Sequence, residues 1–106
     1  MKPILVMAAV PRELELLVNA LEEPYCDHAA TFAATEGVIG SSRLVCCAGG
    51  IGKTNAASAT TSLVERYRPG LIIVTGCGGA YPGSGLSVGE LALASDEICR
   101  DHFFRK

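Results

Sequence analysis

Tryptophan is absent, and aromatic residues make up only 6% of the 106-residue chain. A core of large rings is therefore excluded. With 49% hydrophobic residues, the core must be assembled from Ala, Val, Leu and Ile. Charge is also scarce. At 19% of residues it falls below the roughly 25% of ordinary soluble domains, which suits elements covered on more than one side. Neither sign forms a long run, and the formal net charge is −2. Nothing in this balance attracts a polyanion, so neither nucleic acid nor an anionic membrane is expected as a partner. No stretch approaches the roughly 18 apolar residues of a membrane-crossing helix. The apolar run after the start is too short for a secretory leader and meets Pro11, Arg12 and Glu13. The five cysteines (Cys26, Cys46, Cys47, Cys77 and Cys99) are odd in number and contain no CxxC pair. That excludes a disulfide framework and a zinc signature. Four of them read as plain free thiols of a reducing, cytoplasmic compartment. His28 and His102 lack partners at ligand spacing, so no metal is expected.

The length suits one small domain. Ile4 to Val10 is a continuous apolar run, the pattern of a strand covered on both faces. Pro11 ends it and can open a helix. Over Arg12 to Leu21 the offsets of Leu14, Leu17, Val18 and Leu21 are helical. Glu23 to Thr31 contains Pro24 and reads as a loop. Thr31 to Val38 and Arg43 to Ala48 read as a hairpin turning at Gly40-Ser41-Ser42. After Gly49-Gly50-Ile51-Gly52, Lys53 to Tyr67 is a helix rich in small residues, stopped by Pro69-Gly70. Leu71 to Thr75 and Val88 to Ala94 are the remaining predicted strands. This order fits an α/β layer fold with a largely parallel sheet.

Gly52-Lys53-Thr54 invites a phosphate-loop reading, but the required glycine five places earlier is Cys47. No GxGxxG run exists for a dinucleotide either. What remains is a glycine turn opening a helix, either a plain tight turn or one whose free N–H groups meet a ligand. Gly76 to Gly85 carries five glycines directly after a predicted strand. Sheets of this class place ligands at strand C-termini, and glycines let a substrate lie against the backbone. Cys77 has no histidine placed beside it, so it reads as a small buried loop residue rather than a nucleophile. Glu13 stands on the first turn after the first strand. From position alone it is an ordinary helix-start acid that complements the dipole.

Three segments occur together in one order: Met7-Ala8-Ala9-Val10-Pro11-Arg12-Glu13-Leu14, Ala48-Gly49-Gly50-Ile51-Gly52-Lys53-Thr54-Asn55-Ala56-Ala57, and Val74-Thr75-Gly76-Cys77-Gly78-Gly79-Ala80. Together they resemble the N-terminal half of the nucleoside phosphorylase superfamily, in its nucleosidase branch. The continuation from Ala80 to Ser95 resembles futalosine hydrolases in particular; methylthioadenosine/adenosylhomocysteine nucleosidases are similar. The resemblance implies a three-layer α/β/α fold with a mixed, largely parallel sheet, cut short in this chain. It implies hydrolysis of a purine nucleoside's N-glycosidic bond through an oxocarbenium-like transition state, with futalosine giving hypoxanthine. Glu13 then matches the acid that positions and deprotonates water, which reverses the positional reading. Ile51 and Gly52 match the turn near the ribose. Cys77, Gly78 and Gly79 match the loop beneath sugar and base. No metal or organic cofactor is implied, and a homo-oligomer is.

The likeness covers residues 1–97 as the first half of such a domain, leaving 98–106 as a tail outside the pattern. The ribose-gripping glutamate and the base-assisting aspartate of the family's second half have no counterpart here. The chain alone is therefore expected to have little activity. The alternatives are a truncated purine-binding fragment, a methylthioadenosine-type nucleosidase, a phosphorylase, or a nucleotide-binding module.

Overall fold

The computed structural model describes residues 2–98. The apolar start forms β1 (Ile4–Ala8), and a 3₁₀ turn (Pro11–Leu14) leads into a short α1 (Glu15–Ala20). Then come β2 (Glu22–Ala29), β3 (Phe32–Ile39), β4 (Ser42–Ala48), α2 (Lys53–Tyr67) and β5 (Leu71–Val74). The five strands make one sheet in the order β2-β3-β4-β1-β5. β1 lies parallel to β4 on one side and to β5 on the other. β2, β3 and β4 form an antiparallel meander. The sheet is thus mixed, with the parallel part at β1.

Alternation along β1 and β4 builds a core on each face, because successive side chains point to opposite sides. Leu5, Met7, Val45 and Cys47 pack with Ala59 and Leu63 of α2. Val6, Ala8, Leu44 and Cys46 pack with Leu14 and Leu21 around α1. This is the helix–sheet–helix layering expected from the sequence. The many small residues of α2 serve close approach: Ala59 is wholly buried, and its Cβ would lie 2.7 Å from a Cβ added at Gly49. α2 ends on Arg68, which adopts a left-handed conformation just before Pro69. A proline cannot continue a helix.

Three expectations need correction. The predicted helix over 12–21 is a 3₁₀ turn followed by a shorter helix, because Leu14 (φ −108°, ψ 0°) breaks the α geometry. The predicted loop 23–31 is largely strand β2. Pro24 is tolerated there because β2 is an edge strand, and the register shifts between Glu22 and Tyr25. Val88 to Ala94 forms no strand; Val88, Leu91 and Leu93 are fully exposed, with no neighbouring edge or layer against them among the described residues.

β5 is a strand made for burial, yet its four apolar residues are 41–77% exposed. Parallel strands are ordinarily covered on both faces. The radius of gyration, 15.2 Å, exceeds the roughly 13 Å of a compact chain of this length. The tail expected at 98–106 lies outside the described residues except for Ile98.

Candidate active site

The C-terminal ends of β1, β4 and β5 converge. Ladder-like hydrogen bonds continue past the strands: Gly49 N–H to the Ala8 carbonyl (3.0 Å), Gly50 N–H to Ala9 (2.9 Å), and Thr75 N–H to Met7 (2.8 Å). The three chain reversals are thereby held side by side. Between them lies a cavity of about 260 Å³. Its walls are Met7, Ala8 and Ala9, the Gly49-Gly50 turn with Gly52, Ala56 and Thr60 of α2, and Val74 to Gly76. Among the described residues, Glu13 is its only ionisable wall residue.

Glu13 reaches this place because Pro11 turns the chain at the end of β1 and starts the 3₁₀ turn. One carboxylate oxygen accepts the Val10 N–H at 3.3 Å. The other accepts the Cys77 N–H at 2.9 Å, across 64 residues of sequence. Hydrogen bonds to the charged form favour it. The Cys77 amide first, and the Val10 amide next, hold the carboxyl below its ordinary value. Glu13 is therefore an anion at neutral pH. Two of the roughly four lone-pair positions of a carboxylate are used. The others can orient a water molecule.

The opposite wall is the start of α2. Gly50 and Gly52 have φ of +104° and +96°, a conformation that side chains disfavour. The Asn55 amide donates to the Ile51 carbonyl at 2.9 Å and holds this turn. Thr60 donates to the Ala56 carbonyl at 2.7 Å and lies 3.3 Å from the Met7 sulfur.

Among the residues singled out from the sequence, Glu13 and Gly52 line this cavity. Cys77 brings its backbone amide to Glu13, but it is exposed rather than buried, because no layer covers the loop after β5 among the described residues. Gly78 and Gly79 line a second, more polar cavity of about 610 Å³ between that loop and residues 86–92. Ile51 lies off the cavity and is 75% exposed. Thr60 was missed, and Gly76 was read only as one glycine of the loop 76–85. Thr60 sits four residues after Ala56 on one helix face, a spacing that could have found it. Gly76 carried no such signal. A further cavity, about 510 Å³, opens on the other side of the sheet between α1 and β2–β4. Pro11, Arg12 and Ala48 bring one end of it near the strand C-termini, but its walls include neither Glu13 nor the glycine turns.

A family model described as the phosphorylase superfamily matches residues 3–106. The chain belongs to the phosphorylase superfamily. Among its superfamily relatives, a 5′-methylthioadenosine/S-adenosylhomocysteine nucleosidase of Maridesulfovibrio salexigens is 36% identical over 91 residues, covering 86% of this chain and 39% of the relative. The Neisseria meningitidis nucleosidase of the same name, solved in complex with methylthio-immucillin-A, is 36% identical with a TM-score of 0.75. That match covers 85% of this chain and 38% of the other. A futalosine hydrolase mutant of Helicobacter pylori shares the fold at a TM-score of 0.65 and 15% identity, over 70% of this chain and 33% of the other. This superfamily chain thus spans about 39% of the length of the curated relatives it matches.

Proposed function

We propose that this chain supplies the water-activating part of an N-ribosyl hydrolase site for purine nucleosides. The observation that carries this reading is the Glu13 carboxylate, fixed by two backbone amides beside a glycine-lined cavity at the strand C-termini. In hydrolysis the C1′–N bond breaks and its electron pair leaves with the purine. The sugar becomes oxocarbenium-like, and water oxygen forms the new bond to C1′. Water loses a proton in doing so, and Glu13 accepts it. A depressed pKa makes Glu13 a modest base, which suits a carbon already so electron-poor that it needs little push. Ile51 and Gly52 are assigned to the ribose side. Cys77, Gly78 and Gly79 are assigned to the surface beneath sugar and base. The reading carries with it a cytoplasmic homo-oligomer that uses neither metal nor organic cofactor.

Substrates with a 5′-thio-substituted adenosine come first, because relatives at 33–36% identity are named 5′-methylthioadenosine/S-adenosylhomocysteine nucleosidases. Futalosine, placed first by the sequence likeness, comes second: the futalosine hydrolase at 15% identity supports the fold alone. The stretch from Ala80 to Ser95 still favours it as an alternative.

The test is purine release, measured by chromatography. The chain is assayed alone and joined to the remaining length of the Maridesulfovibrio relative. Little turnover is expected from the chain alone. The joined protein is expected to free adenine from 5′-methylthioadenosine without phosphate. Free hypoxanthine from futalosine in its place would select the alternative. Strict dependence on phosphate would contradict hydrolysis.

A further inference from the structure

The glycines of the loop after β5 do not have equivalent surroundings. A Cβ added at Gly78 or Gly79 would meet nothing within 4 Å. A Cβ added at Gly76 would lie 3.2 Å from one Glu13 carboxylate oxygen, 3.7 Å from its carboxyl carbon and 3.9 Å from the other oxygen. Its three nearest contacts are all atoms of that carboxylate. Gly76 is also free of the positive φ that Gly83, Gly85 and Gly89 show. No left-handed backbone calls for glycine at this position. The close approach of the acid does.

We propose that Gly76 is the positioning residue for Glu13: its missing side chain leaves the space in which the carboxylate seats on the Cys77 amide. The Glu13–Cys77 bond ties the turn after β1 to the loop after β5, so this one position sets the acid against the floor of the cavity. An alanine methyl at Gly76 makes the carboxylate, or the loop that carries the Cys77 amide, give way by a few tenths of an ångström. Either movement lengthens the 2.9 Å bond and weakens it relative to the bond to Val10 at 3.3 Å. The catalytic meaning of this arrangement rests on the hydrolase reading above. The clamp itself does not.

The consequence for pH has a definite sign. Glu13 has a lowered carboxyl pKa in the folded chain. The clamp therefore stabilises the fold fully above the ordinary value of 4.5 and loses that contribution as pH falls through the lowered one. With the Cys77 amide drawn away, the largest cause of the lowering weakens.

Side-chain carboxyl carbon NMR of the 106-residue chain, titrated with acid, reads the clamp directly. Glu13 is expected to titrate below the ordinary carboxylate range. Gly76→Ala is expected to move it upward, and Gly78→Ala to leave the Glu13 titration in place. The Cys77 amide proton supplies a readout independent of any glycine variant, and should follow the Glu13 titration in the unmodified chain. A Cys77 amide that ignores that titration overturns the proposal, as does a Gly76→Ala curve matching the unmodified one. In the joined protein, Gly76→Ala is expected to lower kcat by less than the ~10²-fold of a 1 Å misplacement, with KM nearly unchanged. A titrating clamp in a protein that releases no purine would leave the clamp standing and remove the hydrolase reading. Hydrolysis through Glu13 with a flat Cys77 amide would do the reverse.

Discussion

Cys46 and Cys47 are adjacent in sequence and face opposite cores, one toward α1 and the other toward α2. Burial pushes the Cys46 thiol up to about 11 and moves Cys47 the same way. The thiolate is the reactive form. A thiol at that value is about one part in a thousand ionised at pH 8. Cys26 and Cys77 are exposed. Iodoacetamide at pH 8 should therefore label Cys26 and Cys77 in the folded chain, and Cys46 and Cys47 only after denaturation. Peptide mass spectrometry reads the pattern, and rapid labelling of Cys46 in the native chain would contradict the fold. Glu13 shows the limit of sequence reading at this scale. Its place after β1 is visible in the sequence. Its strongest partner, a backbone amide 64 residues away, leaves no trace in spacing or residue type. Gly76 was hidden for the same reason: a glycine required by a neighbour reads like any other glycine in a run.

Element by element, continuous apolar patterns succeed, at the edge strand β5 as well as in the core, and mixed stretches such as β2 fail. β1, β4 and α2 were legible, because continuous apolar runs and a small-residue helix have few other uses. α2 begins and ends where predicted, at Lys53 and Tyr67. β2 was missed because its eight residues are mostly exposed and mixed in character, and because Pro24 argues against a strand unless the strand is known to be an edge. Val88 to Ala94 has strand-like residues without a partner, and strand formation depends on one. The contact of α2 with the sheet yields a prediction at this scale. Alanine at Gly49 places a Cβ 2.7 Å from that of Ala59, and neither backbone can yield without lifting α2 off β4. Overpacking of this kind costs about 1–3 kcal/mol. Urea unfolding of Gly49→Ala should show a loss in that range. An unchanged midpoint would mean that α2 does not pack as described.

Over the whole molecule, the same sheet that assembles the cavity leaves part of itself uncovered. β5 stands at one edge with apolar residues exposed on both faces, and the chain spans about 39% of its curated relatives' length. The glycine loops, Glu13 and the start of α2 converge on one cavity, while the groups that would grip the ribose hydroxyls and protonate the departing base have no counterpart among the described residues. Catalysis is therefore a property to be sought in the joined protein. The superfamily and its layered fold were legible in three short segments, since glycine turns at strand ends are constrained by close backbone approach. The substrate was not: Leu86 to Ala92, within the stretch that pointed to futalosine, line the second cavity with Gly78 and Gly79, whereas the relatives at 33–36% identity are named for a different nucleoside. The central claim is that the Glu13 carboxylate activates water. Its most direct test is the rate of purine release by the joined protein carrying Glu13→Gln, a substitution that keeps the shape and removes the base. A fall of about 10²–10⁴-fold is expected for losing a general base. Turnover equal to that of the unmodified protein would contradict the claim.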